Sequence, residues 1–268
     1  MTDSHAVPLY DNIGVNYDAT RQADPYLTAR LAHHLGLKDQ GQYLDIASGT
    51  GNYTTELAKL GGCWHGLDLS SGMLRLAGRK NSQICYLRGN SVALPFRDLS
   101  FDGAICTMAL HHFARLLPVF CKANRVLRHG RLVIFTGTRE QMAAYWLNEY
   151  FPIAMARSTA QMPTLESVLE ALRDTGFSSV QAETYEVQPD LKDLFLYSGK
   201  HRPEIYLSDA VRRGISTFST LADPEELESG CARLQQDIDS GKITEVAESF
   251  RHEGGDYVFV VASKERLG

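Results

Sequence analysis

Two glycines and a later aspartate, spaced as in a nucleoside-binding turn, are the residues of this sequence best suited to chemistry. Gly49 and Gly51 follow a predicted strand that contains Leu44 and Ile46, and they precede a segment of helical spacing. Glycine lets the backbone turn sharply and approach a ligand, because no Cβ is in the way. Asp68 lies about twenty residues further on, where a carboxylate can grip a ribose diol. The alternative for Asp68 is a cap at the start of the next helix.

The acidic residue ahead of the turn distinguishes it from a dinucleotide site. A dinucleotide fingerprint reads G-x-G-x-x-G, whereas Ala47 and Asn52 occupy the places of its first and third glycines. Asp45 stands four residues before Gly49, which gives D-x-x-x-G-x-G. This segment resembles the first motif of class I S-adenosylmethionine-dependent methyltransferases. The resemblance implies a turn that cradles the methionine end of the cofactor, with Asp45 in the network around its amino group.

Two later segments carry the same resemblance. Gly89 and Asn90 stand where the family usually has Gly-Asp, whose acid accepts a hydrogen bond from the adenine amino group. Asn90 removes the charge, but its amide oxygen can still accept that hydrogen bond. The segment from Phe101 to Met108 resembles the fourth-strand motif, and the chain is similar to the type-11 small-molecule methyltransferases from about residue 10 to residue 138.

A pair of histidines follows the fourth-strand motif. His111 and His112 lie at the carboxyl end of that strand, where open α/β sheets place ligands. Either could titrate near neutrality and remove a proton from a nucleophile. We take His111 as the candidate base and His112 as a candidate substrate contact, with structural packing as the alternative for both.

The N-terminal segment resembles that of methyltransferases of ubiquinone biosynthesis, in which a Tyr-Asp-x-x-Arg stretch folds over the cofactor. Here Tyr17 and Arg21 occupy the ends of that stretch. The resemblance implies that Arg21 pairs with the methionine carboxylate and that Tyr10 or Tyr17 borders the methyl group. An ordinary surface arm is the alternative for the tyrosines.

Together the motif positions predict one cofactor set and one substrate set. The cofactor set consists of Arg21, Asp45, Ala47, Ser48, Gly49, Thr50, Gly51, Asp68, Leu69, Met73, Asn90, Ser91 and Thr107. The substrate set consists of Tyr10, Tyr17, His112, Trp146, Tyr150, His201, Arg202 and Tyr206. For the aromatic members of the second set, core packing is the alternative.

The elements needed to position these residues alternate between strand and helix. We expect an α/β, Rossmann-like class I methyltransferase fold with a seven-stranded, mostly parallel sheet and helices on both faces. Residues 1–138 would form the cofactor-binding core with its N-terminal arm, and 139–188 with 251–268 would complete the sheet. Residues 189–250 would be a helical insertion between strands six and seven that covers the substrate. An aromatic helix face is predicted over 142–151, and this layout resembles a bacterial, antibiotic-biosynthesis-like subgroup of the type-11 family.

Composition narrows the class of protein. The 268 residues carry a formal net charge of -5, which weighs against a nucleic-acid substrate. No apolar run approaches the ~20 residues of a membrane helix, and the N-terminus has no basic region before an apolar one. Five scattered cysteines without a C-x-x-C pair suggest reduced thiols in a cytoplasmic protein, and no metal site is expected.

The function predicted from these patterns is methyl transfer from S-adenosylmethionine to a small molecule. Two alternatives remain at this point: a protein that binds S-adenosylmethionine without transferring the methyl group, and an NAD(P)-dependent oxidoreductase. The acceptor, the acceptor atom and the oligomeric state are left open by the sequence.

Overall fold

A single seven-stranded sheet organises the protein in the computed structural model, which describes residues 17–265. The strands lie in the order β3-β2-β1-β4-β5-β7-β6. All neighbouring pairs are parallel except the two that involve β7, which is antiparallel to β5 and to β6. The bounds are β1 Gln42–Ile46, β2 Cys63–Asp68, β3 Cys85–Arg88, β4 Phe101–Thr107, β5 Leu127–Thr136, β6 Ser179–Tyr185 and β7 Tyr257–Lys264.

Helices cover both faces of the sheet. Their bounds are α1 Tyr17–Thr20, α2 Pro25–Leu35, α3 Asn52–Leu60, α4 Ser71–Lys80, α5 Leu116–Val126, α6 Arg139–Ala143, α7 Leu147–Tyr150, α8 Pro152–Gln161, α9 Leu165–Arg173, α10 Asp209–Arg213, α11 Pro224–Ser240 and α12 Ile243–Ser249. Neighbouring residues of β1 point to opposite faces. Tyr43 packs in one core with Leu27 of α2, and Leu44 packs in the other with Phe120 of α5. The predicted fold class is therefore confirmed.

The segment after β5 differs from the prediction. Instead of one aromatic helix that ends at Pro152, the chain forms three short helices, α6 to α8, and Pro152 begins the last of them. The fixed φ of proline suits the first position of a helix. Glu226 of α11 satisfies the amides at this helix start, accepting hydrogen bonds from the backbone N of Ile153 at 2.6 Å and of Ala154 at 3.0 Å.

The chain between β6 and β7 is helical, as predicted, and it is anchored on the sheet. Lys200 donates from Nζ to Oδ2 of Asp256 at 2.8 Å, and Asp256 is almost completely buried. The rings of Tyr145 and Tyr197 stack with their centroids 3.9 Å apart. The insertion therefore shares the apolar core of the sheet domain.

Candidate active site

A cavity of about 620 Å³ opens at the carboxyl ends of β1, β2 and β4. This volume lies within the usual range for small-molecule sites. Parallel strands bring the residues that follow each of them to this one edge of the sheet. Every member of the predicted cofactor set except Gly51 lines the cavity: Arg21, Asp45, Ala47, Ser48, Gly49, Thr50, Asp68, Leu69, Met73, Asn90, Ser91 and Thr107.

The turn after β1 forms the floor of the cavity. Its left-handed residues are Ala47 (φ 61°), Gly49 (φ 54°) and Gly51 (φ 68°). A Cβ on Gly49 would have no heavy atom within 4 Å, so this residue faces open space. A Cβ on Gly51 would lie 2.3 Å from the hydroxyl oxygen of Tyr86. Gly51 is not part of the cavity lining, and its backbone φ and the packing of Tyr86 both require a glycine here. The approach of Gly51 to a ligand stays a prediction.

Asp68 ties the turn to the end of β2. Its Oδ2 accepts from the backbone N of Gly49 at 2.9 Å, and its Oδ1 accepts from the backbone N of Ser70 at 2.8 Å. The cap of α4 is Ser70, whose Oγ accepts from the backbone N of Met73. The capping alternative for Asp68 is thus wrong, and its carboxylate is fixed at the cavity wall by two amides.

Asp45 is a buried carboxylate with an unsatisfied oxygen. Its Oδ2 accepts from Thr54 Oγ1 at 2.5 Å, whereas its Oδ1 is buried without a hydrogen-bond partner among the described residues. Burial raises the pKa of Asp45 to about 7. Buried polar atoms in proteins are nearly always paired, so a positively charged donor entering from the cavity would complete this site. The ammonium group of S-adenosylmethionine fits that requirement.

Arg21 reaches the cavity from the end of α1, where it meets a residue that the sequence motifs did not indicate. Its Nε donates to Oδ1 of Asp193 at 2.6 Å and its Nη2 to Oδ2 at 3.4 Å. Tyr53 donates its hydroxyl to Oδ2 of the same carboxylate at 3.1 Å. Asp193 comes from the insertion and lines the cavity. It lies in no motif, so only its place in the predicted cover pointed to it.

Helix α1 is held against the turn by polar contacts. Asp18 accepts from Lys80 Nζ at 2.6 Å and from Thr50 Oγ1 at 2.7 Å. Asn52 donates from Nδ2 to the backbone oxygen of Arg21 at 2.7 Å. Asn52, which stands at the third glycine position of a dinucleotide fingerprint, thus positions Arg21. Tyr10 lies outside the described residues, as does the side chain of Tyr17.

Asn90 lies at the wall formed by the chain after β3. Its Oδ1 accepts from the backbone N of Val92 at 3.1 Å and so begins a short 3-10 helix at 91–93. An amide oxygen has a second lone pair. A hydrogen bond from an adenine amino group is therefore compatible with this arrangement.

The two histidines lie differently from the expectation. His112 lines the cavity and is exposed there, whereas His111 is not part of the lining. The two rings are in contact, with centroids 3.8 Å apart. Burial lowers the pKa of His111 to about 3, with smaller effects from His112 and Arg21. Desolvation also lowers the pKa of His112, to about 4. The expectation that either imidazole titrates near neutrality is therefore not met by His111 or by His112.

The remaining wall, after β4, is mostly apolar. Met108, Ala109, Phe113 and Pro118 line it, together with the guanidinium-bearing Arg115. Met108 adopts a left-handed backbone (φ 52°), as Ala47 does at the end of β1. Such conformations are costly for residues other than glycine and are found preferentially at functional sites.

The other predicted substrate residues do not line this cavity. Trp146, Tyr150 and Tyr206 are fully buried in the core shared by the sheet and the insertion. His201 hydrogen-bonds through Nε2 to the backbone oxygen of Val187, and Arg202 donates from Nη2 to that of Leu191. The three aromatic rings and the two polar side chains all hold the insertion in place. The assignment of these five residues to the substrate is therefore wrong for this cavity.

Comparison with known proteins agrees with this geometry. The family model described as "Methyltransferase domain" matches residues 44–135. A crystal structure from Anabaena variabilis, of a protein named as a methyltransferase from an antibiotic biosynthesis pathway, superposes with a TM-score of 0.82 at 30% identity. That superposition covers 91% of this chain and 98% of the Anabaena chain.

The fold and the relatives together define the class: this chain belongs to the class I S-adenosylmethionine-dependent methyltransferases, and its residues 44–135 match the type-11 methyltransferase domain. A demethylmenaquinone methyltransferase of Corynebacterium glutamicum is 35% identical over 127 residues, which are 46% of this chain and 54% of that protein. The match thus spans about half the length of that relative. A demethylmenaquinone methyltransferase of Staphylococcus aureus is 24% identical over 208 residues, which are 66% of this chain and 86% of that protein.

Within residues 17–265 no helix is long and apolar enough to cross a bilayer. The same residues contain no group of three or more His, Cys, Asp or Glu side chains placed to hold a metal ion.

Proposed function

We propose that this protein transfers the methyl group of S-adenosylmethionine to a small-molecule acceptor in the cavity at the carboxyl ends of β1, β2 and β4. The observation that carries the proposal is the buried Oδ1 of Asp45, which has no hydrogen-bond partner within residues 17–265. Asp45 lines the same cavity as Asp68 and Arg21. An unpaired anionic oxygen beside a nucleoside-type turn suits a ligand that carries both an ammonium group and a ribose.

The chemistry of each side chain supports a role in holding the cofactor. Asp45 would accept from the ammonium group, and Arg21 would bind the methionine carboxylate, because guanidinium and carboxylate form strong charge-assisted hydrogen bonds. Asp68 would accept from the ribose hydroxyls, because its carboxylate lies in the lining of the cavity. Asn90 and Ser91 would contact the adenine.

The bound cofactor would supply an electrophilic methyl group on its sulfonium. The protein then has to orient a nucleophile and exclude water. His112, our candidate for contact with the acceptor, has a pKa lowered by desolvation and is neutral at pH 7. A neutral ring nitrogen can accept a hydrogen bond from an acceptor O–H or N–H and so hold the nucleophile. His111 stays a prediction as a base, and its low pKa makes it a weak one.

The apolar wall after β4 favours an acceptor that is mainly apolar. Met108, Phe113 and Pro118 offer contact surface but no charge. A ring system of the kind named in the demethylmenaquinone methyltransferases is compatible with this wall. We further propose a cytoplasmic protein, because the five cysteines are all free and three of them, including Cys63, are exposed. The formal net charge of -5 favours a small molecule over nucleic acid as the substrate, and we propose no action on membranes.

Calorimetry with S-adenosylhomocysteine and with NAD tests the cofactor, and release of S-adenosylhomocysteine from a metabolite library tests the transfer. We expect micromolar binding of S-adenosylhomocysteine, no binding of NAD and turnover with at least one apolar acceptor. Binding of NAD alone would favour an oxidoreductase. Tight binding of S-adenosylhomocysteine without turnover on any acceptor would favour the binding protein without transferase activity.

A further inference from the structure

The insertion reaches the cavity through one buried carboxylate. Asp193 has a side-chain exposure of 3%, and its partner Arg21 has 13%. Both lie in the cavity lining. A carboxylate so far removed from water needs a positive partner and hydrogen-bond donors, and Arg21 and Tyr53 supply them. Desolvation, assisted by the charge of Asp193, raises the pKa of Tyr53 well above its ordinary value, so its hydroxyl stays protonated as a donor.

The chain on both sides of Asp193 is fixed to the N-terminal segment. The backbone N of Lys192 donates to Oδ2 of Asp24 at 3.0 Å, and the backbone N of Leu194 donates to the oxygen of Thr20 at 3.0 Å. Asp24 is itself the cap of α2 and is buried. The carboxylate is therefore held in a defined position before any ligand enters.

Adjacent residues of α3 hold the two carboxylates of this end of the cavity. Tyr53 donates to Asp193, and Thr54 donates to Asp45. Arg21 pairs with the first of these carboxylates. The charged groups are thus the carboxylate of Asp193, the guanidinium of Arg21 and the carboxylate of Asp45. This arrangement complements a zwitterion, whose carboxylate would meet Arg21 and whose ammonium group would meet Asp45.

We infer that Asp193 is a positioning residue for the amino-acid end of the cofactor: it orients the guanidinium of Arg21 toward the methionine carboxylate. The inference rests on the proposed function. The hydrogen bonds from Nε and Nη2 of Arg21 to Asp193 fix the plane of the guanidinium. All five N–H donors of a guanidinium lie in that plane, so Asp193 sets the direction in which Arg21 meets a second carboxylate. Cofactor binding and docking of the insertion then share one side chain.

The test compares two ligands that differ only at the amino-acid end. S-adenosylhomocysteine carries the carboxylate and ammonium groups, whereas 5′-methylthioadenosine keeps the adenine, ribose and sulfur without them. Asp193→Asn keeps the size of the side chain and removes its charge. We expect this substitution to lower the affinity for S-adenosylhomocysteine by about tenfold, as for loss of a charge-assisted contact. The affinity for 5′-methylthioadenosine should change by less than about twofold.

Three further variants complete the design. Asp190→Asn removes a charge from an exposed site of the same segment and should change neither affinity. Tyr53→Phe removes one hydrogen bond to Asp193. It should lower the affinity for S-adenosylhomocysteine by about threefold without a matching loss for 5′-methylthioadenosine. Arg21→Gln should show the same selectivity as Asp193→Asn, and the double variant should lose less than the sum of the two effects, because both act through one contact.

The outcomes separate the inference from the proposed function. Failure of the wild-type protein to bind S-adenosylhomocysteine would remove the proposed function itself. If the wild type binds both ligands, two results for Asp193→Asn overturn the positioning role: an equal loss of affinity for both ligands, or no loss of affinity for either. Should Asp193→Asn fail to give a cooperative thermal transition, Tyr53→Phe decides by the same ligand comparison.

Discussion

Asp45 gives the most demanding test of the site. Its buried carboxylate should make the unliganded protein less stable than a variant with an uncharged residue at this position. Desolvation raises its pKa from 3.8 to about 7. Between these two values the folded state binds more protons than the unfolded state, so stability falls as the pH rises through this window. The variant Asp45→Asn removes the charge and can keep the hydrogen bond from Thr54.

The size of the effect follows from the shift. One pH unit corresponds to about 1.4 kcal/mol, so the raised pKa of Asp45 costs roughly 4 kcal/mol at pH 8, where the folded protein carries the buried charge. At pH 5 the folded protein keeps this carboxyl protonated, at a cost of roughly 2 kcal/mol. The substitution should therefore stabilise the unliganded protein by roughly 2–3 kcal/mol more at pH 8 than at pH 5. For a chain of this size that difference is about 4–5 °C in Tm.

Thermal unfolding from pH 5 to pH 8, with Asp190→Asn as the matched control, measures this difference. The low pKa of His111 acts with the opposite sign, destabilising the folded state as the pH falls below 6.5. It contributes equally to wild type and variant and cancels in the comparison. Parallel Tm curves for the two proteins would refute the assignment of Asp45 as a buried titrating group.

The same substitution should harm ligand binding. An ammonium group beside Asp45 favours the ionised carboxylate, so the wild type should bind S-adenosylhomocysteine more tightly as the pH rises from 5 to 8. Asp45→Asn should weaken binding at pH 8 by roughly 2 kcal/mol and remove most of this pH dependence. Equal affinities in calorimetry would show that the ammonium group does not contact Asp45.

Three other predictions concern the turn and the histidines. Asp68→Ala should make the binding free energy of S-adenosylhomocysteine ~1.5–3 kcal/mol less favourable, because charge-assisted hydrogen bonds are lost. If calorimetry finds an unchanged affinity, Asp68 does not contact the cofactor. Gly51→Ala should lower Tm by several degrees, because the new Cβ would meet the Tyr86 hydroxyl at 2.3 Å and φ is 68°; an unchanged melting curve would contradict this packing. His112→Ala should lower kcat with little change in cofactor affinity, whereas His111→Ala should mainly lower Tm, and the reverse pattern in steady-state kinetics would return the role of base to His111.

The local sequence was sufficient for the parts of this protein that are built within one strand–turn–helix unit. The order of strands and helices, the turn at 47–51 and the carboxylate of Asp68 follow from residue types a few positions apart. Parallel strands then bring these units to one edge of the sheet without further information. This is why all but one of the predicted cofactor residues line the cavity.

Contacts between distant segments were decided only by the tertiary structure. Trp146 and Tyr206 have the composition of a ligand-binding surface, yet they pack against each other because burying large rings stabilises the junction of the insertion and the sheet. The pairing of Arg21 with Asp193 joins residues 172 positions apart, a separation at which no spacing rule operates. The motif spacing and the family resemblance that it carries predicted the class of cofactor from the sequence alone, and the local geometry of the turn at 47–51 predicted where the cofactor would bind. The tertiary structure decided which side chains enclose that place, because burial depends on what the rest of the chain covers.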